Sequence, residues 1–512
     1  MIYIKKAFNN LNQIKMGAAL SYFAIAFNIV AGLIYTPWMV HQIGQSDYGL
    51  YTLAGSLIGF FAMDFGLGSA VSRFMSKYQA EGDEQKANDF LGIVFKLYLI
   101  IDLILFVVLF VVFLFLENIY GKLTVDELAK LRIIFFIAGL FSLISFPFAP
   151  LNGILISNEK FVLLKFCDLI KKLLTIIFMV VALIMGFRLY ALVIVNAFVG
   201  IIAIAMQLYY VKSKTKTVIN FRCKNHAMLK SIFSFSIWTT VIAIALRFVI
   251  NISPTILGAF SGTSQIAVFA VGTTIEAYTW TFANALNGLF LPKVSRLMIN
   301  NDKDQVEKLM IRVGRIQLII IGLIYVGFLS MGKEFIVLWM GSNYSVAYYV
   351  ALLLITPSIV TLTQEIAYTM LVAINEIKYR AIASVMAAVC SILISVTLAP
   401  KFGAIGVGFG ICIGTILGSV IGMNIVYSKV LKIDIMTFFK ECHLKMILPL
   451  ALTLILALLL QWLLPVSRMF LFIIKAGFIG IIYLVLLWLL GLNTFEKDLF
   501  LSAFKNFRKR KA

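Results

Sequence analysis

Apolar residues along this chain come in runs of about 20, separated by short polar segments, and a run of that length crosses a hydrocarbon core of about 30 Å as one helix. The pattern predicts spans at about 17–40, 47–71, 91–116, 131–150, 161–186, 189–211, 231–258, 265–291, 311–331, 347–373, 381–399, 403–427, 446–464 and 469–491. The longest polar segments, around Ser72–Asp89 and Lys212–Lys230, are interhelical loops too short to form a soluble domain. The expected fold class is all-α membrane, with about fourteen transmembrane helices and, the count being even, both termini on one side.

Composition agrees. The 512 residues are 62% hydrophobic and only 13% charged, about half the charged share of a soluble domain, so too little polar surface exists to cover a soluble core. The net charge of +21 would point to nucleic acid on a soluble protein. Its distribution argues otherwise. With the N-terminus cytoplasmic, the inner segments hold 31 Lys and Arg and the outer ones seven, the asymmetry that fixes orientation in the membrane. Arg508-Lys509-Arg510-Lys511 is then a juxtamembrane anchor to anionic lipid, and no nucleic-acid partner is expected. The five cysteines give no disulfide framework, and His41, His226 and His443 are too scattered for a metal site. Residues 1–16 read as a short basic cytoplasmic arm (Lys5, Lys6, Lys15), not a cleavable signal, because the apolar run after it is too long.

An internal repeat is visible. Gly44-Gln45-Ser46-Asp47-Tyr48-Gly49-Leu50-Tyr51, a helix, then Ser72-Arg73-Phe74-Met75 parallels Gly262-Thr263-Ser264-Gln265-Ile266-Ala267-Val268-Phe269, a helix, then Ser295-Arg296-Leu297-Met298. Each copy begins after the first span of a six-span block. The expected organisation is therefore an N-lobe at 17–211, a cytoplasmic linker at 212–230, a C-lobe at 231–427, a terminal helix pair at 428–491 and a basic tail at 492–512. A repeat of even span number makes the two six-helix lobes parallel, related by a pseudo-two-fold axis along the membrane normal.

Four motifs carry a family resemblance: Gly44-x-x-Asp47-Tyr48-Gly49-Leu50-Tyr51, Asp64-x-Gly66-Leu67-x-x-Ala70-x-x-Arg73, Asn152-Gly153 and Pro292-x-x-Ser295. With them the chain resembles the lipid-linked oligosaccharide flippases, polysaccharide biosynthesis membrane proteins of the exporter superfamily that also holds multidrug extruders and lipid II flippases. The resemblance implies a two-lobed, alternating-access transporter in the bacterial inner membrane, with no catalytic residues. It implies a cargo of sugar on an undecaprenyl pyrophosphate carrier, for O-antigen or related surface polysaccharide. A polymerase and glycosyltransferases are the implied partners, and a monomer is the expected state. No cofactor is expected beyond coupling to Na⁺ or H⁺. The first span carries no charge between Gly17 and Val40, unlike the acid of many proton-coupled extruders or the arginine of lipid II flippases.

Ionisable residues inside spans are costly unless paired or hydrated, and so mark candidate sites. Arg247 and Glu276 each lie about fifteen residues from the turn near Ser261–Gly262, roughly 22 Å along their helices at similar depth. With Asn251 they form polar stripes expected to line a cavity. Arg247 is expected to meet the pyrophosphate or an acidic sugar, with Glu276 holding it in place or taking a coupling cation. Lys165, Asp168 and Lys172 share one stripe of the fifth span. With Lys96 and Arg73 they are candidates for a basic vestibule on the loading side, or for side chains reaching to the interface. Asp64, Asp102, Glu276 and Glu365 are candidate ion-coupling acids. Glycines 406, 410, 414, 418 and 422 form a ridge for close helix packing. Gly327-x-x-x-x-Gly332-Lys333 imitates a phosphate loop, but Glu334 replaces the required Ser or Thr.

The leading functional expectation is flipping of a lipid-linked oligosaccharide. A cation-coupled multidrug exporter of the same fold is the alternative. A membrane glycosyltransferase or polymerase is less favoured, since the outer loops near Glu117–Lys130 and Gly332–Val346 are short and carry no acidic metal cluster.

Overall fold

The computed structural model describes residues 2–62, 67–215, 217–222, 226–284, 290, 294, 296–298, 302–498 and 501–502. Among them every regular element is a helix. That is what long apolar runs require in lipid, where only a helix satisfies its backbone hydrogen bonds within one segment. Large apolar side chains point outward on many of them, among them Ile34, Leu103, Leu393 and Ile473. Such faces suit lipid rather than water.

Ten stretches of the described residues are long and apolar enough to cross a membrane: Phe23–Ile43, Glu84–Ile119, Val125–Ser157, Arg188–Lys214, Ile237–Phe260, Lys303–Met340, Ser342–Thr363, Lys378–Lys429, Ile435–Leu463 and Met469–Gly491. The eighth has 52 residues and would run about 78 Å if straight, more than twice the hydrocarbon thickness. It reverses at Gly403 (φ 53°, ψ −131°). The Ser395 hydroxyl donates to the Val407 carbonyl at 3.3 Å, where a straight helix would separate these residues by about 18 Å. This one stretch therefore holds two of the predicted spans, 381–399 and 403–427. The predicted glycine ridge lies in the reversal: a β-carbon on Gly406 would stand 2.7 Å from the Leu398 carbonyl oxygen, and one on Gly410 2.7 Å from the Ser395 nitrogen.

Helix packing divides the chain into two compact units, Met1–Ala270 with Ser384–Ile411, and Val271–Ala383 with Cys412–Ala512. The first is built on α1 (Ile2–Ile43), α2 (Gln45–Phe61), α3 (Leu67–Ala80), α4 (Glu84–Ile119), α5 (Val125–Ser145), α6 (Pro150–Ser157), α7 (Phe161–Ile184), α8 (Arg188–Lys214), α9 (His226–Ile250) and α10 (Ile252–Phe260). α2 packs on α5 and α10, α7 on α1 and α8, and α3 on α4 and α6. The charged first half of α7, with Lys165, Asp168, Lys171 and Lys172, sets it apart from the ten apolar stretches.

Four turns meet at one end of this unit. Gly44 (φ 90°) and Gly262 (φ 86°) make two of them, in a region open to glycine at no steric cost. Glu127, in the first turn of α5, receives the hydroxyls of Ser46 (2.5 Å) and Thr263 (2.7 Å) on one carboxylate oxygen. Its other oxygen accepts the Thr124 backbone N–H, closing a capping box at the helix start. Lys130 pairs with Asp47 at 3.2 Å. Gln265 accepts the Ala404 N–H, and Ser261 donates to the Ala399 carbonyl. Gly49 has to be glycine here, because a β-carbon would lie 2.2 Å from the Thr263 carbonyl oxygen.

The second unit contains Val271–Asn284 of α11 (Thr263–Asn284), α12 (Lys303–Met340), α13 (Ala347–Thr363), α14 (Glu365–Ala373), the two ends of α15 (Lys378–Thr415), α16 (Met423–Lys429), α17 (Lys445–Leu463) and α18 (Met469–Leu486). Met310, Phe438, Met446 and Tyr483 are buried in its core, and the Tyr483 hydroxyl donates to the Ile319 carbonyl. Arg315 on α12 makes a two-pronged pair with Glu496 (2.5 and 2.9 Å) and donates to the Glu441 and Gly491 carbonyls. Lys475 on α18 pairs with Glu334 at 3.1 Å and bonds Gln461 and the Leu464 carbonyl.

Candidate functional site

A cavity of about 570 Å³ opens inside the first unit, lined by α2, α5, α8 and the junction of α9 with α10. Its wall carries Tyr51, Thr52, Ser56, Ser142, Ser145, Asn196, Asn251 and Arg247 beside small and apolar residues, with no acid among the described lining residues. The sequence builds each side differently. Tyr51, Gly55 and Gly59 recur every four residues on α2 and so share one face. Gly55 leaves room, since a β-carbon there would meet nothing within 4 Å, whereas one on Gly59 would stand 3.2 Å from the Asn251 amide nitrogen. Pro254 has no N–H to continue the ladder from α9 into α10, and the junction falls at Asn251, next to the cavity.

Arg247 is the one charged group among the described lining residues, and it is half-buried. Its Nη1 donates to the Gly59 carbonyl at 2.8 Å. Gly59 lies in the last turn of α2, where carbonyls lack helical partners and the dipole is negative. The helix end thus holds one edge of the guanidinium, a fork of five donors suited to an anion. Asn196 donates to the Tyr51 hydroxyl (2.9 Å) and to the Leu192 carbonyl. Ser145 donates to the Ser142 carbonyl. Chemically this is a hydroxyl- and amide-rich pocket with a fixed cation, able to bind an anion and hydroxylated groups; among the described lining residues there is no nucleophile–base pair.

The model of a family described as polysaccharide biosynthesis protein matches residues 16–298, more than half of the chain and the whole of this cavity wall. The chain belongs to that family. As a polysaccharide biosynthesis protein it is similar to a probable low-salt glycan biosynthesis flippase, Agl15, of Haloferax volcanii, with 24% identity over 35% of this chain and 38% of that protein. Its fold is that of two groups of solved structures. The lipid II flippase MurJ in an inward closed conformation matches with TM-score 0.66 and 18% identity, over 94% of this chain and 99% of that one. An inward-facing multidrug resistance MATE family transporter of the MOP superfamily matches with TM-score 0.66 and 14% identity, over 83% and 98%. The fold is thus one that solved membrane transporters share.

Of the residues predicted for cargo binding in this family member, Arg247 and Asn251 line the cavity together. The other predicted contacts stand elsewhere. Lys165 pairs with Asp168 on α7 at 3.4 Å, and Lys172 is half-buried further along the same helix. Lys96 is half-buried on α4, and Arg73 is exposed on α3. Asp102 on α4 has a buried carboxylate oxygen without a hydrogen-bond partner. Glu276 and Glu365 belong to the second unit. There Trp280, one turn after Glu276, donates to Ser358. Glu365 opens α14 next to Gln364, which donates to Asn424 at 2.7 Å, and the Arg380 guanidinium covers the Tyr368 ring at 4.9 Å. Asp64 lies outside the described residues, as do Pro292 and Ser295. Among the described residues no cluster of His, Cys, Asp and Glu could hold a metal.

Sequence reasoning missed Tyr51, Ser56, Ser142, Ser145 and Asn196 as lining residues. The one signal that points to them is polarity at helical spacing inside apolar spans, as at Ser142 and Ser145.

Proposed function

We propose that this polysaccharide biosynthesis protein flips a lipid-linked oligosaccharide, a sugar repeat unit on undecaprenyl pyrophosphate, across the cytoplasmic membrane for surface polysaccharide synthesis. The observation that carries the proposal is the guanidinium of Arg247 in a hydroxyl-lined cavity where, among the described lining residues, it is the one charged group. An anionic head group with sugars attached is the ligand that such a wall complements, and a glycan flippase among the relatives supports that class of cargo. The protein works by alternating access between two parallel six-helix lobes, fourteen spans in all with the terminal pair, and with both termini cytoplasmic. The turn contacts support the lobe pairing. Gln45 reaches the Ser264 carbonyl while the Ser46 and Thr263 hydroxyl oxygens stand 3.1 Å apart. In the repeat Gln45 corresponds to Thr263 and Ser46 to Ser264, so the contact is reciprocal, as a two-fold axis requires. Glu276, Glu365 and Asp102 are the candidate sites for a coupling Na⁺ or H⁺.

The test is Arg247→Ala in cells that depend on this protein for surface polymer. Normal insertion with polymer export lost is the expected result; normal insertion with full export overturns the role of Arg247. A multidrug exporter is the second reading, favoured by the equal likeness to the multidrug transporter. Dye or norfloxacin efflux on expression, with surface polymer unaffected, would select it.

A further inference from the structure

We propose that Glu127 is the bolt of an extracytoplasmic gate over the Arg247 cavity. The inference rests on the transporter reading and on the orientation that puts the four clustered turns outside.

Three observations converge. Glu127 joins three separate stretches of chain: its own helix α5, Ser46 at the start of α2, and Thr263 just past α10. Both hydroxyls bond one carboxylate oxygen, while the other oxygen is fixed by the Thr124 N–H, so the acceptor is held in place before the hydroxyls arrive. The same stretches continue into the cavity wall. Tyr51 follows Ser46 by five residues, which puts the cavity about 8 Å below the bolt along α2. Ser142 lies further down α5, and Asn251 precedes Thr263 across the short α10. Separation at the bolt therefore parts the helices that line the cavity. The close seat of Gly49 on the Thr263 carbonyl makes the closed contact tight enough to exclude water.

The bonding suits a gate. Hydrogen bonds to a carboxylate are strong, yet two of them are few enough to break within a transport cycle. Thr263 is buried and Ser46 half-buried in the closed contact, and parting the turns lets water reach both hydroxyls.

The experiment reads cavity access rather than cargo. In a full-length chain with its five native cysteines replaced, Gly55→Cys places a thiol in the cavity at a position with free space. A membrane-impermeant thiol reagent is applied to the outside of right-side-out vesicles. Glu127→Ala is expected to speed labelling about tenfold, the factor that loss of roughly one charge-assisted hydrogen bond gives. Glu127→Gln, which keeps one acceptor oxygen, is expected to fall between. In the same background Ser46→Cys with Thr263→Cys, oxidised to a disulfide, is expected to abolish labelling of the cavity thiol, and reductant to restore it. Because that lock is reversible, a misfolded variant cannot imitate it. Labelling that ignores both the cross-link and Glu127→Ala overturns the gate. Labelling that obeys both, in a protein that moves no lipid-linked glycan, supports the gate and overturns the cargo proposal instead.

Discussion

Arg247 is held by the carbonyl of Gly59 in the last turn of α2 and lines the cavity. That placement makes its chemistry testable against charge alone. Arg247→Lys keeps the cation but not the planar fork, so transport should fall about tenfold, with Arg247→Ala lower still, measured as surface polymer at equal protein level. Gly55→Trp should abolish transport by filling the cavity while leaving the melting temperature in detergent near wild type, since its β-carbon direction is empty. Arg247 and Asn251 were legible in the sequence because an arginine in an apolar run has to be explained. Ser142, Ser145 and Thr52 were not. Small hydroxyls satisfy themselves on carbonyls of their own helix, as Ser145 does on Ser142 and Thr52 on Tyr48, so a lipid-facing serine and a cavity serine look alike in sequence. Glu334 shows the reverse case. Its presence ruled out a phosphate loop in the sequence, but its actual task, binding Lys475 and the Val466 N–H, depends on residues more than a hundred positions away.

Helices follow the apolar runs closely, and their irregularities follow single residues. The break between α9 and α10, inside the single span predicted at 231–258, falls where Pro254 prevents a continuous ladder. The reversal at Gly403 combines a positive φ with the Gln265 side chain, whose amide oxygen would stand 2.5 Å from any β-carbon there. Gly403→Ala is therefore expected to cost about 1–3 kcal/mol, seen as a lower melting temperature in detergent, because backbone strain and collision act together. The glycine ridge was legible as a packing surface, yet its partner was not: spacing of four says that a helix comes close, and only the fold says that at Gly406 and Gly410 it is the preceding span of the same hairpin. The family motif at Gly44–Tyr51 gains physical content in the same way. Gly44 makes the turn, Asp47 takes Lys130 and Gly49 admits the Thr263 backbone.

For the whole molecule, the all-helical membrane class and the transporter fold were readable from hydropathy and resemblance, whereas the long-range polar ties were not, since pairing over such separations leaves no local pattern. Topology is directly checkable: a cysteine at Lys122 should react with an impermeant reagent from outside, and one at Lys214 only from the cytosol. The Arg315–Glu496 pair has both side chains about 95% buried. Glu496→Ala should destabilise by roughly 3–5 kcal/mol by leaving a buried unpaired cation, and Arg315→Met with Glu496→Leu should recover much of that loss in thermal unfolding. The same pair has a consequence for biosynthesis. Arg315 leaves the ribosome 181 residues ahead of its partner. At synthesis rates of about 5–20 residues per second, it waits about 10–40 s with no carboxylate to receive it. During that interval α12 cannot settle into its final packing. A nascent chain that stops before Glu496 would carry a stranded guanidinium, a mark by which membrane quality control can tell an unfinished copy from a finished one.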